Sequence, residues 1–469
     1  MNPMNRRNFL WNYGGGLGGI ALAHLLSESG LLADTIPGLH HPAKAKRVVQ
    51  LFMSGAASQC DTFDYKPKLI ERNGQKFDPG GKIELFQSTP GAVMASPWDW
   101  KQHGGCGKWV SALVPHLASC VDDMAFIHSM MSKSNVHGPA TFMQNSGFIL
   151  PGYPSMGAWI SYGLGSMNKD LPTFVVLPDS RGYAPNGAGN WSSGFLPAAH
   201  QGTMIRASSA NPIYYLFPPN SASYVNASAE KDTLEVLNRM NREHFESRAD
   251  DSRLDARIAS YELAAKLQVS APEVMDISKE SPATLRLYGI DDKVTEDFGR
   301  NCLIARRMLE RGVRFVQVWS GADNGFPRRN WDSHENLAKD HASMAASMDK
   351  PAAALIKDLK SRVMLDDTIV HWATEFGRMP CSQGGKGRDH NPFAFTTWFA
   401  GGGFKGGVSF GASDEWSYRV AEHPTYCYDM HATMLHLLGI DHTRLTYRHN
   451  GIDRRLTDVY GQVISGLLA

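Results

Sequence analysis

Two acidic residues and a histidine follow one apolar segment of the chain, and their types suit metal binding. The segment, residues 368–374, is followed by Glu375, and a glycine-rich turn then brings Asp389 and His390 side by side. In open α/β sheets, ligands bind just beyond the carboxyl ends of the strands. Carboxylates and neutral imidazoles together can hold zinc, manganese or iron. This stretch therefore predicts part of a metal-dependent hydrolytic site at the end of a buried strand.

Three further apolar segments are also followed by candidate metal ligands. Asp61 lies in a loop of small residues, His137 precedes a helix, and Asp332 and His334 lie two residues apart in a loop. Each residue alone could equally belong to a turn or a helix cap. Their shared position after strands favours one site, large enough for two metal ions about 4 Å apart that bind a phosphate or sulfate oxygen. The predicted metal ligands are Asp61, His137, Asp332, His334, Glu375, Asp389 and His390.

Two arginines flank this predicted site in the sequence. Arg378 and Arg388 lie on either side of the glycine-rich turn. A guanidinium group can bind a phosphate or sulfate with two parallel hydrogen bonds, so both residues are candidates for an anion clamp. Surface salt bridges explain the two arginines equally well. We expect them to contribute to catalysis if the site is an enzyme.

Alternating apolar runs and amphipathic segments must position these residues. The predicted strands are residues 44–53, 124–129, 171–177, 313–320, 368–374 and 395–403. The predicted helices include residues 110–120, residues 295–311, a segment ending at residue 362, and residues 429–440. Repeated alternation of strand and helix predicts an α/β fold whose mostly parallel sheet carries helices on both faces.

The N-terminus has the pattern of an export signal. Residues 5–10 read NRRNFL, in which two arginines are followed by a polar residue, Phe and Leu, and a weakly apolar glycine-rich segment comes next. Residues 1–35 are therefore predicted to direct twin-arginine export to the periplasm or another extracytoplasmic compartment. An ordinary N-terminal helix is the alternative. Beyond this signal, no run is long and apolar enough to predict a membrane span.

The remaining chain is predicted to form a single domain at residues 44–469, with a polar helical insertion around residues 228–290. The 47 basic and 46 acidic side chains are nearly balanced, which gives no reason to expect nucleic acid as a partner. The six cysteines show no CxxC spacing and are poor zinc or redox candidates. Cys106 and Cys120 could pair in an oxidising compartment. The oligomeric state is left open.

Four segments, in order, resemble the alkaline phosphatase and sulfatase superfamily. They read VVQLFMSGAASQCD, VHGPATFMQNSG, TIVHWATEFG and DMHATMLHLLGI. A closer resemblance covers nearly the whole chain: FDYKP, WDSH, EFGRMP, GRDHNPFAFTTWFAGGG and LTDVYG are similar to a bacterial family known as domain of unknown function 1501. The resemblance implies a sulfatase-like three-layer α/β sandwich, without fixing an activity.

The chain also departs from the superfamily pattern at two places. His137 falls where sulfatases carry their nucleophile, and the following residues lack the usual arginine, so formylglycine chemistry is not expected. Glu375 stands where an Asp is expected, and Phe376 replaces the next Asn or His, so one ligand is missing. His137 could be a metal ligand, a covalent nucleophile or a structural remnant. A ligand role is favoured because an imidazole would complete the site that Phe376 leaves short.

Two hypotheses follow for function. The first is an exported hydrolase of phosphate or sulfate esters, whose substrates would be small anionic molecules or glycan esters. Its cofactor would be zinc, manganese or calcium. The metal ion would lower the pKa of a water molecule that attacks the ester. The second is a catalytically degenerate protein that binds anionic glycans or a protein partner. The absence of a Rossmann or phosphate-loop fingerprint after any predicted strand argues against a nucleotide-binding or redox protein.

Overall fold

The structure is a computed structural model of the 469-residue chain. It describes residues 39–209 except Gln87, residues 212 and 213, a few positions between 232 and 243, and residues 271–469 except 324, 326 and 327. The predicted export signal and most of the predicted helical insertion lie outside the described residues. Both therefore stay predictions, as does the division of the chain into a signal and one domain.

A mixed sheet of eight strands lies at the centre of the described chain. In chain order the described strands are β1 (Arg47–Met53), β2 (Trp100–His103), β3 (Lys108–Ser111), β4 (Met124–Met130), β5 (Phe174–Leu177), β6 (Thr203–Met204), β7 (Phe315–Ser320), β8 (Thr368–Ala373), β9 (Gly377–Arg378), β10 (His390–Asn391), β11 (Phe395–Ala400), β12 (Val408–Phe410), β13 (Ala412–Ser413), β14 (Val420–Glu422), β15 (Tyr447–His449) and β16 (Ile452–Arg454). The central sheet has the order β12-β4-β11-β8-β1-β7-β5-β6. Of these strands, β11 alone runs antiparallel to its neighbours.

Helices cover both faces of this sheet. The described α-helices are α1 (Pro67–Glu71), α2 (Pro115–Ala118), α3 (His137–Ser146), α4 (Met156–Leu164), α5 (Pro282–Leu287), α6 (Glu296–Glu310), α7 (Leu337–Ser361) and α8 (Cys427–Leu437). One apolar cluster joins Leu51 of β1 to α6 and α7, and a second joins Phe52 of the same strand to α3, α4 and α8. Adjacent strand residues point to opposite faces, so β1 supplies both layers of core. The result is a three-layer sandwich.

A row of buried polar side chains crosses the middle of the sheet. Gln317 on β7 donates from Nε2 to Gln50 Oε1 on β1 at 2.7 Å, and Gln50 Nε2 donates to His371 Nδ1 on β8 at 3.3 Å. His371 Nε2 in turn donates to Thr397 Oγ1 on β11 at 3.1 Å. Gln317 also donates to Asn145 on α3 at 2.7 Å. We call these five residues the polar row; it ties four neighbouring strands and one helix together.

The predicted α/β fold with a mostly parallel sheet and helices on both faces is confirmed. Each of the six predicted strands overlaps a strand of the central sheet, and the predicted helix at residues 295–311 is α6. The predicted helix at residues 110–120 is wrong in its first half, where β3 pairs with β2, because Pro115 starts the short helix α2 only after the strand has ended. All six cysteines, including Cys106 and Cys120, are free. Within the described part of the chain, no helix combines the length and the apolar character needed to cross a membrane.

Candidate metal centre

Three histidines surround one carboxylate oxygen at the carboxyl edge of the central sheet. The Nε2 atoms of His137, His334 and His390 lie 3.3, 2.9 and 3.4 Å from Oδ1 of Asp332. His334 Nε2 and His390 Nε2 are 2.9 Å apart. His137, Asp332 and His390 are buried, and their ligand atoms all lie within 4.8 Å of one another. We refer to these four residues as the histidine cluster.

Each histidine of this cluster is anchored through its other ring nitrogen. Nδ1 of His390 donates to the backbone carbonyl of Asn135 at 2.6 Å, and Nδ1 of His137 donates to Glu375 Oε1 at 2.6 Å. Nδ1 of His334 lies 2.5 Å from Gln383 Oε1. A carbonyl or carboxylate oxygen accepts only, so it fixes the proton on Nδ1 and leaves the Nε2 lone pair of a neutral ring free. In the neutral form of each ring, Nε2 thus presents its lone pair to the same oxygen of Asp332.

The loops after three parallel strands carry this cluster. Residues 131–136 connect β4 to α3, whose first residue is His137. The loop after β7 carries Asp332, and the turn after β8 carries Glu375. His390 follows from the hairpin of β9 and β10, in which it pairs with Arg378. Because parallel strands end at the same edge, loops distant in sequence meet there.

Gly55, just beyond β1, lets these loops approach one another. Its φ is +103°, and a Cβ at this position would lie 2.6 Å from the backbone nitrogens of Trp331 and Asp332. Only glycine adopts this conformation readily, and only glycine leaves the space. The Gly55 N–H donates to Glu375 Oε1 at 2.8 Å, the same oxygen that anchors His137. The β1 loop therefore positions the anchor rather than a ligand.

The electrostatics of the cluster favour an ionised Asp332 and a neutral His390. Burial alone would raise the pKa of Asp332, but the Arg378 guanidinium and the three histidines hold it well below its usual range. Burial, reinforced by Arg378 and His137, lowers the pKa of His390 to about 3 despite its hydrogen bond to Asp332. Burial would also lower the pKa of His137, but the nearby carboxylates of Asp332 and Glu375 outweigh it and raise that pKa, which favours the protonated ring.

The donor set fits a divalent cation. His137 Nε2 is buried without a hydrogen-bond partner, and two Nε2 lone pairs lie 2.9 Å apart with both Nδ1 protons directed elsewhere. Ligand atoms in a tetrahedral zinc site, with bonds of about 2.0–2.2 Å, lie about 3.4 Å from one another. The separations from the histidines to Asp332, 2.9–3.4 Å, are close to this value. A cation would satisfy nitrogens that otherwise face one another unpaired.

The structure separates two predicted ligands from this cluster. Asp61 pairs with Arg388, whose Nε and Nη2 lie 2.8 and 3.1 Å from its two carboxylate oxygens, and both side chains are fully buried. Asp389 accepts hydrogen bonds from the Ser88 hydroxyl at 2.7 Å and the Phe86 N–H at 3.2 Å. Glu375 is brought to the site, but it contacts His137 on the side away from the cluster. The structure thus groups four of the seven predicted ligands and adds Glu375 as an anchor.

The two arginines face protein acceptors. Arg378 is fully buried, and its Nη2 donates to Asp332 Oδ1 at 2.7 Å while Nε donates to the Ala56 carbonyl at 2.9 Å. Arg388 donates to Asp61 and also to the backbone carbonyls of Met379 at 3.0 Å and Met94 at 2.9 Å. Arg378 therefore supports the charge of Asp332, and Arg388 joins buried loops. An anion clamp by either side chain stays a prediction.

Aromatic rings enclose the histidines. Phe376 stacks on His137 at 5.0 Å between ring centroids and lies tilted against His390 at 4.6 Å. Phe86 stacks on His390 at 4.7 Å, nearly parallel. The sequence marked Phe376 as the place of a lost ligand, and the structure shows it as a wall of the cluster. Phe86, Asn135 and Gln383 were missed because they contribute a ring, a backbone carbonyl and an amide, which have no distinctive spacing.

Comparisons with known proteins place the whole cluster inside one recognised family region. The family model described as Protein of unknown function (DUF1501) matches residues 45–468. The sequence has no match among curated proteins. All four cluster residues, and Glu375, lie within the matched region.

Several solved structures are similar to the chain. One is the lipoteichoic acid synthase LtaP from Listeria monocytogenes, at 11% identity and a TM-score of 0.37, covering 87% of this chain and 77% of that chain. Another is the C-terminal periplasmic domain of EcEptC from Escherichia coli in complex with Zn, at 9% identity and a TM-score of 0.35, covering 86% of this chain and 85% of that chain. A third is alkaline phosphatase from the Antarctic bacterium TAB5, at 11% identity and a TM-score of 0.34, covering 84% of this chain and 98% of that chain.

Proposed function

The chain belongs to the family described as protein of unknown function (DUF1501), and we propose that it is a metal-dependent hydrolase of phosphate or sulfate esters. The observation that carries this proposal is the histidine cluster, in which three anchored imidazoles direct Nε2 toward Asp332 Oδ1. This arrangement supplies ligands for a cation at the sheet edge where α/β proteins bind their ligands. The sequence resemblance to phosphatases and sulfatases adds the ester class.

The type of metal follows from the donor atoms. Imidazole nitrogens suit zinc and other transition metals, whereas calcium prefers six to eight oxygen ligands. Three nitrogens and one carboxylate therefore favour zinc or manganese over calcium, with zinc preferred. When bound, the cation would supply Lewis acidity toward an ester oxygen and lower the pKa of a water molecule.

The residues around the cluster would hold and orient its ligands. Glu375 fixes the ring of His137 through Nδ1, and Arg378 keeps Asp332 ionised. Phe376 and Phe86 cover the ring faces of His390 and exclude water from them. Carboxylates and amides that hold the far nitrogen of a metal-binding histidine commonly change metal affinity 10–100-fold when removed. The centre is thus supported on several sides before any substrate enters.

His334 is the most exposed side chain of the cluster. The side chain of His334 retains 14% of its accessible surface, more than the 7% of His137 or the 5% of Asp332. A substrate would therefore approach from the side of His334.

A specific observation also favours the second candidate, a binding protein without turnover. Arg378 Nη2 lies 2.7 Å from Asp332 Oδ1, the same oxygen that the histidines face. A guanidinium in this place competes with a cation for the carboxylate. Phe376 stands where a metal-binding residue is expected. The centre could therefore bind an anionic molecule through one metal ion and lack the second metal ion needed for catalysis.

Metal content and esterase activity of the purified full-length protein test the proposal together. We expect one transition-metal ion per chain and turnover of an aryl phosphate, an aryl phosphodiester or an aryl sulfate. Activity should disappear in His390→Ala and after chelation, and zinc should restore it only in the wild type. Metal binding without turnover of any ester class would favour the binding protein. A protein that holds no cation at all would refute both the centre and the hydrolase.

Export is a separate part of the proposal. The twin arginines Arg6 and Arg7 support translocation of a protein that already carries its cation, since this route transports folded proteins. Fractionation of cells that express the wild type and the Arg6→Lys, Arg7→Lys double variant checks it. We expect the wild type in the periplasmic fraction and the variant in the cytoplasm. Equal distribution of the two proteins would contradict export by this route.

A further inference from the structure

A cavity of about 730 Å³ is lined by none of the residues of the histidine cluster. Its walls come from Lys133 in the loop after β4, from Phe410 of β12, from residues 423–426 and the first turn of α8, and from residues 459–466 of the C-terminal segment. Pockets for small organic ligands typically measure about 300–1,000 Å³ and combine apolar or aromatic walls with a few polar groups. This cavity has both the size and the composition of such a site.

Aromatic rings and one ammonium group define its chemistry. Nζ of Lys133 lies 4.7 Å from the ring centroid of Tyr428 and 4.4 Å from that of Tyr460, and it donates to the Tyr428 hydroxyl at 3.1 Å. The rings of Tyr428 and Tyr460 lie 4.8 Å apart at 34°. Tyr460 lines the cavity and is 50% exposed, so part of its ring remains accessible. Lys133 Nζ is thus held beside two tyrosine rings at the wall of the cavity, where an anion could reach it.

The charges around the cavity limit the ligand to few negative groups. The N-terminus of α8 points toward this region, but Asp429 already occupies it: one carboxylate oxygen accepts from the Tyr426 N–H at 3.0 Å and the other from the Gln462 N–H at 2.8 Å. A second anion at that helix end would meet the Asp429 charge. Of the described residues that line the cavity, Lys133 is then the one lysine or arginine, which disfavours a nucleoside diphosphate or triphosphate.

We propose that this cavity binds a saccharide ring carrying one anionic group, such as a sulfate or phosphate ester. The apolar face of the sugar ring would stack on the accessible part of the Tyr460 ring, and its hydroxyls would meet a tyrosine hydroxyl and backbone groups of residues 459–466. The anionic substituent would pair with Lys133 Nζ in a charge-assisted hydrogen bond. The paired tyrosines form a platform on one side, which suits a sugar better than a base inserted between two rings.

The cavity is linked to the metal centre through a short stretch of chain. Lys133 and His137 are four residues apart, so their Cα atoms lie within about 14 Å of one another. Asn135, between them, holds His390 through its backbone carbonyl. A disaccharide or longer chain could therefore occupy the cavity while an ester group reaches the cluster. Its role as part of a substrate site rests on the proposed function, whereas saccharide binding itself does not.

Ligand-observed NMR and calorimetry with the full chain test this inference. The probes are N-acetylglucosamine 6-sulfate, unsulfated N-acetylglucosamine, inorganic sulfate and adenosine monophosphate. We expect the sulfated sugar to bind with a Kd of about 1 mM, and each of the other three to bind at least about 10-fold more weakly. Preference for the nucleotide, equal binding of free sulfate, or no binding of the sulfated sugar at ~10 mM would overturn the proposal.

Variants of the cavity locate the binding. Lys133→Met retains the alkyl chain and removes the charge, and should weaken binding of the sulfated sugar about 10-fold or more. Tyr460→Ala should weaken both sugars. Lys101→Met, at an exposed lysine on strand β2, is the matched control and should bind like the wild type. Unchanged melting temperatures establish that the three variants fold.

His390→Ala separates this proposal from the proposed function. It should lose the metal ion and any esterase activity while binding the sulfated sugar as the wild type does. If His390→Ala abolishes sugar binding and Lys133→Met does not, the sugar binds at the metal centre and the cavity assignment is wrong. If all variants bind sugar as expected and no ester is hydrolysed, the cavity assignment stands and the hydrolase does not.

Discussion

Replacing Glu375 by glutamine separates anchoring of a histidine from direct metal binding. Glu375 Oε1 accepts from His137 Nδ1 at 2.6 Å and from the Gly55 N–H at 2.8 Å. Glutamine has the same shape and keeps a carbonyl oxygen for both donors. Its amide nitrogen would face Thr374 Oγ1, which lies 3.3 Å from the second carboxylate oxygen and can accept a hydrogen bond. The fold should therefore tolerate the change, and only the negative charge behind His137 is lost.

We expect Glu375→Gln to bind the metal ion more weakly without losing it. Loss of an anchoring carboxylate commonly costs 10–100-fold in affinity, and the retained carbonyl places this variant at the lower end, about 10-fold. A tenfold change corresponds to about 1.4 kcal/mol of binding free energy. Removing a direct ligand is different, since His390→Ala deletes one of three nitrogens. That variant should bind zinc too weakly to hold it at stoichiometric concentrations.

The assay is competition for zinc between each variant and a chromophoric chelator at neutral pH. Asp389→Asn is the matched control, because Asp389 is next to His390 in sequence but its carboxylate accepts from Ser88 and Phe86. It should bind zinc within about twofold of the wild type, since it removes neither a ligand nor an anchor. The reasoning fails if Glu375→Gln binds zinc as tightly as the wild type. It also fails if Asp389→Asn lowers the affinity for zinc as much as His390→Ala does, because Asp389 would then be a metal ligand.

Three further predictions concern stability and packing. Asp61→Asn leaves Arg388 buried without its counter-charge, so the free energy of unfolding should fall by about 3–5 kcal/mol, measured by chemical denaturation. Burial lowers the pKa of His341 to about 3. Its pKa in the unfolded chain is about 6.5, so below pH 6.5 the unfolded chain takes up a proton that the folded protein does not. The free energy of unfolding should therefore be highest above pH 6.5 and be lower by about 2 kcal/mol at pH 5. His341→Gln should flatten this pH dependence. Gly387→Ala would place a Cβ 1.8 Å from the His334 carbonyl, so zinc affinity and melting temperature should both decrease.

Controls for these three variants are available in the chain. Gly105→Ala places its Cβ no closer than 3.8 Å to another group and should change neither zinc affinity nor melting temperature. In His341→Gln, the introduced amide oxygen could still accept from the Ser58 N–H, which bonds to His341 Nε2 at 3.1 Å in the wild type, so the comparison isolates the titration. An Asp61→Asn protein destabilised by less than about 1 kcal/mol would mean that water, rather than a dry interior, surrounds the ion pair.

The fold could be predicted because its pattern is local. Apolar runs such as residues 313–320 and 368–374 are continuous, as expected for strands buried on both faces by helices. The charged start of α6, with Glu296 and Asp297, and its stop before Gly312 are equally local signals. The reversed direction of β11 was not visible, since strand direction is set by pairing with distant neighbours.

The grouping of the candidate residues was predicted only in part because the directions of neighbouring side chains are set by the turns that carry them. Asp389 and His390 follow one another, and in the structure Asp389 contacts Ser88 and Phe86 while His390 faces the cluster. Asp332 and His334, two residues apart, both reach the cluster. Because both pairs lie in a turn or a loop, the directions of their side chains could not be inferred from spacing alone.

Asp61 is a different case. Its partner Arg388 is 327 positions away, and nothing in the types or spacing of these residues identifies the pair. Only the tertiary structure shows that the carboxylate after β1 is paired with an arginine side chain instead of facing the histidine cluster. The same holds for Gln383, whose role as an anchor of His334 depends on the path of a glycine-rich turn.

If the histidine cluster holds a metal ion as proposed, the polar row connects correct folding to metal content. If β1 slipped by one residue, Gln50 would turn to the opposite face, where apolar side chains of α6 and α7 pack, and each buried amide left unpaired would cost about 1–3 kcal/mol. The same slip would move Gly55 by about 3.3 Å and detach the anchor of His137. A chain with misaligned strands would thus bind no ion. Bound metal per chain would then measure the correctly folded fraction of a preparation.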